Sequence, residues 1–139
     1  MDKNWIYYGV FFPDKTKTTI LNYVKQSLSK MGISIPEDWK IYCDHVTIVY
    51  NDKSEERQKT AEGLEPFIGE HVGIRTTSIG VSDRAIALGV NYVTQNEHSH
   101  VTVAIAPNAK PVESNYITKW YPTNGDFYIT GVINKIVRR

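Results

Sequence analysis

One cysteine, Cys43, among 139 residues leaves no partner for an internal disulfide, and it excludes a metal site built from thiolates alone. Charge of one sign is not in excess either. The formal net charge is +1, so no global field draws nucleic acid or an anionic membrane, and any anion site must be local. No apolar run is long enough to cross a bilayer. The opening residues "MDKNWIYY" lack the basic start and apolar stretch of a secretory leader, which gives a cytoplasmic expectation. Nor does a linker, low-complexity tract or charge run divide the sequence. A hydrophobic share of 41% and a charged share of 22% suit one globular domain spanning 1–139.

What is present alternates between two periodicities. "WIYYGVFF" (5–12) reads as a first strand, stopped at Pro13-Asp14. Ile20, Val24, Leu28 and Met31 recur at helical spacing over 16–31, with Gly32 at the end. "IYCDHVTIVYN" (41–51) is a strand by its β-branched content, and Ser54 with Glu55 and Glu56 opens a second helix. "HVGIRTTSIGV" and "RAIALGV" read as a hairpin turning at Ser82-Asp83. "HVTVAIA" (100–106) is another strand. A short helix is expected within 111–120, and a last strand over 126–137, where Gly131 marks a bulge or close approach. The class is α/β (α+β in stricter usage).

Two of the four histidines sit in near-identical strands, His45-Val46-Thr47-Ile48 and His100-Val101-Thr102-Val103. Side chains on a strand alternate faces, so His45 and Thr47 share one face, and Val46 and Ile48 the other. The same holds for His100 and Thr102 against Val101 and Val103. An isolated H-x-T in a strand is usually a half-buried His beside a strand-forming Thr. Two copies in apolar strands favour a shared purpose. Imidazoles exchange protons near neutral pH, and hydroxyls donate to an anion. Two His-Thr pairs facing one another can surround a phosphorus, with one His as base, the other as acid, and both Thr on the non-bridging oxygens. Neither a metal nor any other cofactor is implied. The valines and Ile48 should then point into packed core.

On these two tetrapeptides the chain resembles the two-histidine phosphoesterases, whose mark is a pair of H-x-[ST]-x strands. The resemblance implies a bilobal fold with antiparallel sheets around a central cleft. It also implies His45, Thr47, His100 and Thr102 as catalytic residues. A narrower likeness, to cyclic phosphodiesterase domains of tRNA ligases and related RNA-repair proteins, rests on Ile79-Gly80-Val81-Ser82-Asp83, Ala87-Leu88-Gly89-Val90, Lys110-Pro111 and Ser114-Asn115. The activity so implied is hydrolysis of a 2′,3′-cyclic phosphate on an RNA end or nucleotide. Viral enzymes that destroy cyclic oligonucleotide immune signals share the mark, and such a role would place the chain in a host cytoplasm. A non-catalytic nucleotide-binding module is the alternative outside enzymes. The partner expected is a nucleotide or RNA end, with no membrane and no obligatory protein partner.

Other residues carry competing readings. Trp120 and Tyr121, in an apparent loop "KWYP", are the expected rim residues for stacking on a base; Tyr7 and Tyr8 are further candidates. Lys53 could meet a phosphate, and Ser114 could line the pocket or cap the short helix. His98 and His100 with His45 form an alternative three-His metal site, disfavoured because Thr at both +2 positions serves an anion better than a cation. Asp44 has opposite parity from His45 and is not expected to orient it, and His71 reads as surface.

Overall fold

A computed structural model describes residues 4–138. Among them the elements run β1 (Trp5–Phe11), α1 (Asp14–Lys30), β2 (Lys40–Ile41), β3 (His45–Tyr50), α2 (Glu55–Leu64), β4 (His71–Val81), β5 (Ala85–Asn91), β6 (His100–Ile105), β7 (Lys119–Pro122) and β8 (Tyr128–Val137). Single 3₁₀ segments occupy Glu65–Phe67 and Pro111–Tyr116. The class is the mixed α/β expected, with antiparallel pairing throughout.

The strand order is β2-β6-β3-β1-β8-β4-β5, with β7 on β4, and β5 pairs back onto β6. The sheet therefore closes on itself. One half is β8-β1-β3 and the other β4-β5-β6. Long β4 joins them at one end, its first residues paired with β8 and its later ones with β5 and β7. At the other end the halves meet where β3 touches β6.

The apolar stripe of α1, Ile20, Val24 and Leu28, is fully buried against Val10, Val46, Val101 and Leu88 in the main core. Val46, Ile48, Val101 and Val103 all lie in this core at 0–5% exposure. Each such side chain contributes roughly 1.5–3 kcal/mol by leaving water. Their burial orients the strands, because the opposite parity must then face outward. α2 begins at Ser54, whose hydroxyl accepts the Arg57 amide at 3.3 Å. Its Ala61 packs on Trp5, Tyr8 and Val49 in a second cluster.

Three expectations are revised. The strand read over 41–51 is interrupted at 42–44. The helix sought in 111–120 is only a 3₁₀ segment, and "KWYP" is the short strand β7 rather than a loop. Hydrogen bonding to the β4 edge outweighs the loop character of a Pro-ended tetrapeptide.

Close approach of β1 to β3 depends on Gly9. A Cβ there would lie 2.6 Å from the Val46 backbone oxygen, which cannot swing aside. Gly9→Ala should destabilise the protein by about 1–3 kcal/mol, read as a lower urea midpoint with an unchanged m-value.

Candidate active site

The site begins with a register shift. β2 pairs Ile41 with Ala104, and β3 pairs Val46 with Val101. The first segment thus takes 46 − 41 = 5 steps where β6 takes 104 − 101 = 3. The surplus is a bulge at 42–45, with Cys43 at φ 58°. The Tyr42 and Cys43 amides still donate to the Val103 and Thr102 carbonyls, each at 2.9 Å. Bulges re-aim side chains beside sites, and here the bulge delivers His45 and Asp44 together into the cleft.

One cavity of about 740 Å³ is lined by His45, Thr47, His100 and Thr102 together with Tyr7, Asp44, Tyr50, Arg57, Gln95 and Asn115. Both motifs therefore open onto one space. His45 Nε2 lies 3.1 Å from Thr47 Oγ1. His100 Nδ1 donates to the His98 carbonyl at 2.7 Å, which fixes the ring and leaves Nε2 for a substrate. Thr102 Oγ1 is 3.0 Å from the hydroxyl of Ser114, which is 1% exposed. The His45 ring is stacked by Tyr7 at 4.9 Å and Phe11 at 5.3 Å between centroids.

Each motif also faces a glycine across its ladder. Gly9 pairs with Thr47, and Gly89 with His100. A Cβ on Gly89 would run into the Ser78 hydroxyl and sit 3.2 Å from that of Thr77. Packing this tight explains why both neighbouring strands carry glycine there.

Burial pushes the pKa of both imidazoles below the ordinary value. For His45 the Asp44 carboxylate pulls back upward, while His100 and then Lys17 push further down. For His100 the His98 carbonyl bond opposes the fall. The Asp44 charge is shared with Lys17 Nζ, 3.0 Å away. Burial disfavours the charged form of both imidazoles, and a proton on His100 disfavours one on His45. One neutral and one protonated imidazole is the arrangement paired acid–base chemistry needs.

The other sequence expectations divide. Trp120 lies 6.3 Å from the His100 ring and lines a smaller cavity of about 290 Å³ with Asn96, His98, Ser114 and Asn115. Asn115 borders both cavities. Tyr121 points off the other side of β7, exposed and outside both cavities, because neighbours on a strand alternate. Tyr8 is wholly buried against α2, its hydroxyl bonded to Glu65, so it cannot stack on a ligand. Its neighbour Tyr7 lines the cleft instead. Lys53 sits exposed in a turn at φ 67°, its amide bonded to Asn51, away from the cavity. Ser114 is reached through Thr102 rather than from the main cavity. Asp44, set aside on parity, lines the cavity because the bulge breaks the alternation. Arg57 and Gln95 lie far apart in sequence and share no motif, and Tyr50 has opposite parity from Thr47, reaching the cavity only past the register shift between Tyr8 and Gly9. His98 lies in the loop before β6, its ring edge-on to Trp120 at 4.6 Å. Among the described residues no three His, Cys, Asp or Glu side chains converge as metal ligands, and no helix is long and apolar enough to cross a membrane.

A closed antiparallel sheet that presents two H-x-T strands to one cleft defines a two-histidine phosphoesterase. A family model of the fungal tRNA ligase phosphodiesterase domain matches residues 23–137. The chain belongs to that family. No curated protein matches it. A solved structure described as "Crystal Structure of Fungal RNA Kinase" shares the fold at a TM-score of 0.67 and 14% identity, over 99% of this chain. This chain spans 46%, about half, of that one.

Two outcomes follow from the geometry. Thr102→Val should cost about 1–3 kcal/mol because it leaves the buried Ser114 hydroxyl unpaired. Thr47→Val, whose partner faces an open cavity, should cost clearly less; urea melts of the pair check this. The second concerns pH. Unfolded histidines titrate near the ordinary value and folded ones lower, so between the two the unfolded state binds more protons. Stability should therefore fall as pH drops below about 6.5. The His45→Ala/His100→Ala double variant should show a flatter urea midpoint between pH 7.5 and 5.5.

Proposed function

We propose that the chain hydrolyses 2′,3′-cyclic phosphates at RNA ends by acid–base catalysis between His45 and His100, with no metal. The observation that carries this reading is the single cavity onto which both His-Thr pairs open. The phosphorus sits between the imidazoles. The neutral one takes a proton from water as its oxygen bonds to phosphorus. The protonated one gives a proton to the ribose oxygen as its bond to phosphorus breaks. The ring opens to a phosphate monoester, and the proton lost by one histidine is restored when the pair exchanges with solvent. Thr47 and Thr102 donate to the non-bridging oxygens, where charge grows in the transition state. Trp120, in the adjoining cavity, offers a ring for the base.

Membership in a tRNA ligase phosphodiesterase family supports the RNA-end substrate over a cyclic oligonucleotide signal. The test is incubation with 2′,3′-cyclic nucleotides, RNA oligonucleotides ending in a 2′,3′-cyclic phosphate, and 3′,5′-linked cyclic oligonucleotides, with products identified by mass. Cleavage of the first two sets in the presence of EDTA is expected. Turnover confined to the third set would move the chain to signal destruction, and binding without products to a sequestering module. His45→Ala and His100→Ala should each lower kcat by about 10²–10⁴ while leaving the thermal unfolding transition cooperative. A near wild-type rate in either variant would remove the paired acid–base mechanism.

A further inference from the structure

The cavity extends past the four motif residues to a wall that the chemistry above does not use. Tyr50 ends β3 with its ring parallel to that of Tyr7, at 11° and 6.4 Å, and is 49% exposed. Arg57, from the first turn of α2, donates through Nη1 to the Tyr50 carbonyl at 3.0 Å. Its Nε is 3.5 Å from the Asp52 carboxylate, a long and half-exposed pairing. A guanidinium has five N–H donors, so most of them remain for a ligand. Gln95 closes the wall. Its amide donates to the Ile48 carbonyl at 2.8 Å, and its side-chain oxygen accepts the Tyr50 amide at 2.5 Å.

Three features make this wall a subsite. Arg57 is the only Lys or Arg among the residues lining the cavity, and Asp44, the cavity's carboxylate, is already paired with Lys17. Tyr50 lies three residues beyond Thr47, about 10 Å along the strand at roughly 3.3 Å per residue. An anion held by Arg57 is therefore not the one between the histidines. The exposed Tyr50 ring beside that cation offers a stacking surface, the usual combination for single-stranded nucleic acid.

We propose that Arg57, Tyr50 and Gln95 bind the nucleotide adjoining the terminal cyclic phosphate, Arg57 on its phosphodiester and Tyr50 on its base. The site thereby selects an RNA end over a free cyclic nucleotide. The inference rests on the reading of the cleft as a phosphodiesterase site.

The experiment compares kcat and KM for a 2′,3′-cyclic mononucleotide and for a short RNA ending in the same group, using the wild type, Arg57→Gln and Tyr50→Ser. Binding of an RNA of the same sequence ending in a 3′-phosphate is measured in parallel by fluorescence anisotropy. The wild type should show a lower KM for the RNA. Arg57→Gln should raise the ratio of RNA KM to mononucleotide KM about tenfold. It should also reduce the salt dependence of RNA binding by about one phosphate's worth. Tyr50→Ser should weaken RNA binding by a similar factor without altering the salt slope. A KM ratio and salt slope unaffected by Arg57→Gln would overturn the subsite. Wild-type protein inert toward both substrates would instead defeat the catalytic reading. In that event the anisotropy comparison alone decides the subsite, and equal binding by wild type and both variants overturns it.

Discussion

The arrangement depends on one point of contact, the pairing of Val46 with Val101. It is the only ladder pair between β3 and β6, and both valines are fully buried. With the Ile41–Ala104 pairing and the Tyr42 and Cys43 amide bonds beside it, this pair holds β3 against β6, so that both His-Thr pairs open onto one cavity. Burial of the valines is what makes the contact hold, since apolar area removed from water outweighs the conformational cost of fixing two short strands side by side. The same valines, by parity, turn the histidines and threonines outward. Core packing and site assembly are thus one event, with no separate energetic provision for the site.

That economy has a chemical consequence. Strands close enough to share a cavity leave the imidazoles little water, and desolvation is the leading cause of their lowered proton affinity. One backbone group and one side chain oppose it. The His98 carbonyl supports a proton on His100, and Asp44 supports one on His45. Neither support is a second histidine-directed acid within the motif. Both come from chain just outside it, Asp44 from the bulge and His98 from the preceding loop. The protein tolerates the burial because the neutral imidazoles remain compatible with the fold.

Much of this was legible in the residues. The two tetrapeptides, their alternation and the apolar identity of their second and fourth positions disclosed both the core and the His-Thr pairs that open onto one cavity. The α1 stripe and the Ser54 cap were equally plain, because each is a local rule with one dominant outcome. What escaped was set by irregularity and distance. The surplus residues at 42–45 split one apparent strand and carried Asp44 into the cleft against its parity. A bulge has no composition of its own, and Cys43 at positive φ is not a residue that announces one. Tyr7 and Tyr8 are adjacent and chemically alike, and only the placement of α2 over Tyr8 decides which reaches the cavity. Arg57 and Gln95 belong to the first turn of a helix and the middle of a loop, so their convergence exists only after β3 and β6 have met.

The loop carrying Gln95 follows from the same contact. Because β3 and β6 share a single pair, the far half of β3 would have an unpaired edge, with the Ile48 carbonyl and Tyr50 amide seeking partners. Buried or half-buried backbone groups are costly when unsatisfied. The chain between β5 and β6 is the segment held nearest that edge, since β6 starts beside it. Gln95 supplies both missing bonds, its amide to Ile48 and its side-chain oxygen to Tyr50. A loop recruited to complete a strand edge is thereby fixed as a wall of the cleft, next to Arg57, whose own bond to the Tyr50 carbonyl ties α2 to the same point. The rigid strands hold the two His-Thr pairs, and the segments that satisfy their leftover backbone bonds shape the rest of the cavity wall.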